Sequence, residues 1–127
     1  MPGHRDGVTL VDVLIVIVIV GILAAIAIPR FLANKDQSYI AAMKSDLRAL
    51  VAAEDAFYSD SSYYLRSLPP SRFRSSPGVS APSIVVGKDG WTATVTDSQL
   101  PGSLCGIGVN AKNPVVPSAG DSDPACK

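Results

Sequence analysis

Residues 13–28 read VLIVIVIVGILAAIAI, without one polar side chain, and extending the stretch back to Val8 adds only Thr9 and Asp12 as polar interruptions. At 1.5 Å per residue, a helix from Val8 to Ile28 is roughly 30 Å long, the thickness of a bilayer core. The run is rich in Val and Ile, but a lone strand in lipid would leave its backbone groups unpaired, so a helix is expected. Pro29 is expected to end or kink it. An ordinary secretory signal, cut at the small-x-small site Ala25-Ile26-Ala27, competes with an anchor. Against it, His4 and Arg5 are offset by Asp6 and Asp12, and the run is longer than a usual signal core. Arg5 on one side and Arg30 and Lys35 on the other leave the orientation undecided by charge.

The 127 residues carry eleven Lys plus Arg against eleven Asp plus Glu, which argues for one small domain and against nucleic acid as a partner. Only 17 % of residues are charged, because one very apolar segment dominates the composition. Past residue 7 there is no histidine, and no phosphate-binding Gly-rich loop, Ser/His/Asp set or metal-ligand cluster is legible. The expectation is a protein that is not an enzyme and has no cofactor and no metal.

The stretch GVTLVDVLIVIVIVGILAAIAIP, Gly7 to Pro29, resembles the N-terminus of type IV pilins and of the pseudopilins of type II secretion systems. The likeness lies in a short polar leader ending in Gly7, the Thr9-Leu10 pair, a carboxylate at Asp12, the unbroken apolar run and the ending at Pro29. It implies cleavage by a prepilin peptidase between Gly7 and Val8 on the cytoplasmic side, N-methylation of Val8, and loss of MPGHRDG. Two positions depart from the family pattern: Val8 stands where Phe is usual, and Asp12 where Glu is usual.

An acid beside a long apolar run is costly in lipid, and such residues are generally functional. The resemblance gives Asp12 a role in subunit assembly, pairing with the N-terminal ammonium of a neighbour's Val8. The alternative is a first-turn acid favoured by the helix dipole. Gly21 and Pro29 bracket a segment that the resemblance marks for melting on assembly; before assembly a continuous helix with a modest kink is expected.

After Pro29, Ile40, Met43, Leu47, Leu50, Val51 and Phe57 recur at three- and four-residue spacings, with Lys44, Asp46, Arg48 and Asp55 on the other sides. A single long helix to about Ser59 is expected. Ser61 to Pro82 reads as a loop, and its Arg66, Arg72 and Arg74 as a solvated surface; a nucleic-acid patch with Tyr63, Tyr64 and Phe73 is the minor reading. Ser83–Val86 and Trp91–Thr96 around Lys88-Asp89-Gly90 read as a hairpin, with a third strand at Leu104–Val109. Trp91, Ala93 and Val95 should face the helix and the threonines solvent. Cys105 and Cys126 would form a disulfide in an exported head. Asp121 and Asp123 could hold Ca²⁺, as some pseudopilins do near their C-terminus, but two carboxylates make a weak site.

The expected fold is α+β: a long N-terminal helix, membrane-spanning in its first half and amphipathic in its second, packed on an antiparallel sheet of about three strands. The expected organisation is leader 1–7, transmembrane or filament-core helix 8–29, amphipathic helix 30–60 and head 61–127. With the resemblance, this implies a pilin that polymerises into a helical filament for adhesion, motility or DNA uptake. Its partners would be membrane lipid before assembly, prepilin peptidase, and an inner-membrane platform with a motor ATPase. The N-terminus would be cytoplasmic and the head exported, in the inner membrane first and in an extracellular pilus afterwards. The alternatives are a type II pseudopilin and, more distantly, an anchored or secreted monomeric binding module.

Overall fold

Helix α1 runs from Leu10 to Ser61 in a computed structural model that describes residues 7–127. The rest of the leader, with His4, lies outside the described residues. Pro29 sits inside α1 and does not end it. Its missing N–H removes a single ladder bond, and the strong helix formers that follow carry the helix on.

The chain divides into two units, Met1–Lys35 and Asp36–Lys127. In the first, the described part of α1 leaves its Val, Leu, Ile and Phe side chains exposed all round. It is long and apolar enough to cross a membrane.

In the second unit, α1 presents Met43, Leu47 and Leu50 at three- and four-residue spacing, all fully buried. They pack with Trp91, Ala93, Val95 and Ile107 of an antiparallel sheet in the order β1 (Ser83–Val86), β2 (Trp91–Thr96), β3 (Leu104–Val109) and β4 (Ala125–Cys126). The α+β architecture is as the sequence implies, with a fourth strand added. Alternation in β2 places Trp91, Ala93 and Val95 inside, while Thr92 and Thr94 are half-buried and Thr96 is exposed.

β4 has no hydrophobic signature of its own, being two residues long. Leu104 and Lys127 exchange both backbone hydrogen bonds, at 3.0 and 2.9 Å. That puts Cys105 opposite Cys126 at a Cα separation of 4.0 Å, and the two are joined by a disulfide. Between these strands the chain folds back over β3 closely enough that a Cβ on Gly108 would lie 2.2 Å from the Ala111 carbonyl oxygen. The buried Asn113 amide locks this segment, donating to the Gly106 carbonyl at 2.7 Å and accepting from the Val115 and Val116 amides.

Two acids of α1 are buried, one of them against the sequence reading. Asp46, assigned above to a solvent side, is buried, and so is Glu54. Asp46 accepts from the Ser76 amide and the Ser76 hydroxyl, both at 2.7 Å. Glu54 Oε2 accepts from the Leu65 amide at 3.0 Å. They lie two turns apart on one face and tie the 62–82 segment to the helix, supplying acceptors that the irregular backbone lacks. Among the described residues Glu54 Oε1 has no partner. Burial raises the Glu54 pKa above its usual value; the Leu65 amide opposes this and Asp55 adds to it.

The residue after the helix, Ser62, is a non-glycine residue at φ +63°, whose amide donates to the Tyr58 carbonyl at 2.7 Å. This is the left-handed cap that glycine usually supplies, at about 1–2 kcal/mol for a residue with a Cβ.

Candidate assembly and processing site

The residues singled out in the sequence fall into separate places. Gly7, Val8, Thr9 and Asp12 sit together at the start of α1, in the first unit. Cys105 and Cys126 clip the tail in the second. Gly21 and Pro29 lie within the uninterrupted helix, and a Cβ on Gly21 would meet nothing within 4 Å.

At the helix start, the Thr9 amide donates to Asp12 Oδ2 at 3.0 Å and the Thr9 hydroxyl to the same oxygen at 2.8 Å. The Asp12 amide in turn donates to Thr9 Oγ1 at 3.2 Å. Thr9 is therefore the N-cap and Asp12 the N3 residue of a reciprocal capping box, satisfying amides that have no carbonyl one turn earlier. The sequence reading offered Asp12 either a charge partner or the helix dipole and missed the box. The signal was present as Thr-x-x-Asp directly before an apolar run.

Among the described residues Asp12 Oδ1 accepts no hydrogen bond. One oxygen thus holds the cap while the other is open to a cation, and both are exposed. Val8, immediately outside the box, is also exposed.

The other sequence candidates are placed less suggestively. Arg72 lies over the Phe57 ring, 5.4 Å from its centroid, which gives it a packing partner. Asp121 accepts from the Asn110 amide and bonds Ser122, bracing the tail segment. Among the described residues no group of three or more His, Cys, Asp or Glu is arranged to hold a metal ion.

The chain is 37 % identical over 61 residues to the type II secretion system core protein G of Pseudomonas aeruginosa, covering 48 % of this chain and 43 % of that protein. It is 43 % identical over 63 residues to the type IV major pilin protein PilA of Myxococcus xanthus, covering 50 % and 28 %. Against the core protein G of Escherichia coli K12 it is 36 % identical over 60 residues, covering 47 % and 41 %. The matched region spans less than half the length of each of these curated relatives. No family profile matches the chain, and no solved structure matches it significantly. Curated homologues of this chain include type II secretion pseudopilins and a type IV major pilin, the family that its Gly7–Pro29 stretch resembles.

Proposed function

We propose that this chain is a prepilin: a structural, non-catalytic subunit that polymerises into a type IV pilus filament. The observation that carries the reading is a helix start at which a capped carboxylate with one open oxygen precedes a long, fully exposed apolar surface. Prepilin peptidase removes residues 1–7, and Val8 gains a methylated, still cationic amine one turn before Asp12. The open Asp12 oxygen pairs with that amine on a neighbour and sets the stagger between subunits.

Residues 8–29 anchor the subunit in the inner membrane, N-terminus cytoplasmic and head exported, and later form the filament core. Residues 30–60 and 61–127 make up the head and its supporting helix. Lipid is already apolar, so transfer into the filament relies on helix packing, charge pairing and work by a separate motor ATPase acting through an assembly platform. The segment between Gly21 and Pro29 contains the two residues that stabilise a helix least, so it is where α1 unwinds if neighbours satisfy its backbone.

A pseudopilin of a type II secretion system is the second reading, favoured by the names of several relatives. Electron microscopy of sheared surface filaments, with intact-mass analysis of their main subunit, tests both. A filament whose main subunit begins at N-methyl-Val8 supports the pilin reading. A processed subunit found only with a secretion apparatus supports the pseudopilin, and a chain beginning at Ile28 overturns both.

A further inference from the structure

We propose that the cleft between the C-terminal end of α1 and the β1–β2 turn binds a saccharide unit, its C–H face on tyrosine rings and its hydroxyls on Ser62, Lys88 and Asp89. The cleft measures about 380 Å³, the small end of the roughly 300–1,000 Å³ typical of small-molecule sites. Tyr58, Tyr63 and Tyr64 line it on one side, and Lys88 and Asp89 on the other.

Across the left-handed Ser62 cap, two rings of α1 pair with two rings of the segment that follows. Tyr64 stacks on Tyr58 at 4.5 Å and 24°, and Tyr63 meets Phe57 edge-on at 5.3 Å. Trp91 backs Tyr64 at 6.3 Å. This order does not serve to hide the rings: Tyr58 stays 44 % and Tyr63 56 % exposed.

The chemistry of the walls selects the ligand class. The exposed rings of Tyr58 and Tyr63 form an open platform rather than an enclosing cage, which disfavours a quaternary ammonium. Lys88 and Asp89 are adjacent and cancel in charge, which disfavours a phosphate or nucleotide. Lys88 only donates, ionised Asp89 only accepts, and Ser62 does both. A sugar asks for that combination, since it shows polarised C–H groups to a ring face and a rim of hydroxyls needing donors and acceptors. The Gly87 amide donates to the Gly90 carbonyl at 2.8 Å, which fixes the turn bearing both charged residues.

The inference does not rest on filament assembly. Its test is saturation-transfer NMR on the full chain in phosphatidylcholine nanodiscs, with methyl glycosides of glucose, galactose, mannose and N-acetylglucosamine. Their β-1,4-linked disaccharides form a second arm, separating a chain end from an internal unit. At least one probe should show transfer strongest at ring C–H protons. Tyr63→Ala and Tyr58→Ala should each raise Kd at least tenfold and Asp89→Asn several-fold, while Tyr63→Phe stays within threefold. Arg74→Ala, outside this cleft, should bind as native. No transfer to any probe at millimolar concentration overturns the proposal, as does unchanged binding by Tyr63→Ala with native circular dichroism. Should Tyr58→Ala not fold, the exposed Tyr63 and Asp89 variants decide.

Discussion

Thr9 and Asp12 share three side-chain hydrogen bonds at the start of α1, and among the described residues these leave one Asp12 oxygen open. Capping and charge pairing are therefore separable at this residue. Asp12→Ala removes both, and a paired ammonium would be left uncompensated at an interface repeated in every subunit. Filaments should be lost while cleavage and membrane insertion persist, since alanine makes the span more apolar. Asp12→Glu keeps the charge and is the usual capping-box acid, so it should assemble at least as well as native.

Thr9→Ala is the complementary case. It removes the cap side chain, at about 1 kcal/mol of local helix stability, and leaves the carboxylate. Filament yield measured by shearing should stay near native while amide exchange at residues 10–13 quickens. If Thr9→Ala and Asp12→Ala lose filaments equally, Asp12 acts through the cap and charge pairing is wrong.

Glu54 makes the head respond to pH in an unusual direction. Its folded pKa is raised, chiefly by burial, so the native state holds the proton more tightly than the unfolded chain does. The stability this confers is fully present below the unfolded value of 4.5 and is lost as pH rises through the folded pKa. Glu54→Gln removes the charge, keeps an acceptor for the Leu65 amide, and should stabilise the head at pH 7 and above by on the order of 1 kcal/mol. The difference between the two proteins in denaturant midpoint should shrink toward zero below pH 4.5. A constant difference across that range would show that Glu54 does not titrate in this way.

The contrast between these acids and the rest of the chain shows what a sequence can carry. The apolar run, the Met43-Leu47-Leu50 stripe and the alternation in β2 repeat with the period of their element, so each residue reinforces its neighbours' reading. Asp46 and Glu54 occupy core-facing positions of the same stripe, but carboxylates suggest solvent until their distant partners, Ser76 and Leu65, are known. β4 is likewise invisible, since two residues have no period and only pairing with Cys105 and Gly106 of β3 defines their place. Thr9 was legible and overlooked, because the family motif drew the reading of Asp12 toward an external partner.

The Cys105–Cys126 bond closes a loop with a sequence separation of 21, for which chain entropy gives about 3 kcal/mol. Paired Cys105→Ser and Cys126→Ser substitutions should lower the denaturant midpoint accordingly and release Lys127 and the tail to rapid exchange. Non-reducing peptide mapping of native protein should recover the two cysteines linked. Two freely alkylatable thiols would mean that the tail is held by Asn113 and strand pairing alone.

Asp46 anchors the far end of the 62–82 segment, thirty residues along the chain from Ser76. Its carboxylate takes both the amide and the hydroxyl of Ser76, so Asp46→Ala strands two half-buried donors and should cost about 1–2 kcal/mol. Because Glu54 holds the same segment independently at Leu65, the loss should be local. Exchange at Ser76 and Val79 should accelerate on a scale of ten- to a hundredfold while the Leu65 amide keeps its protection. Asp46→Asn retains one oxygen for the Ser76 amide and should fall between native and alanine. If Leu65 and Ser76 open together in Asp46→Ala, the two acids are not separate ties, and the segment detaches from α1 as one unit.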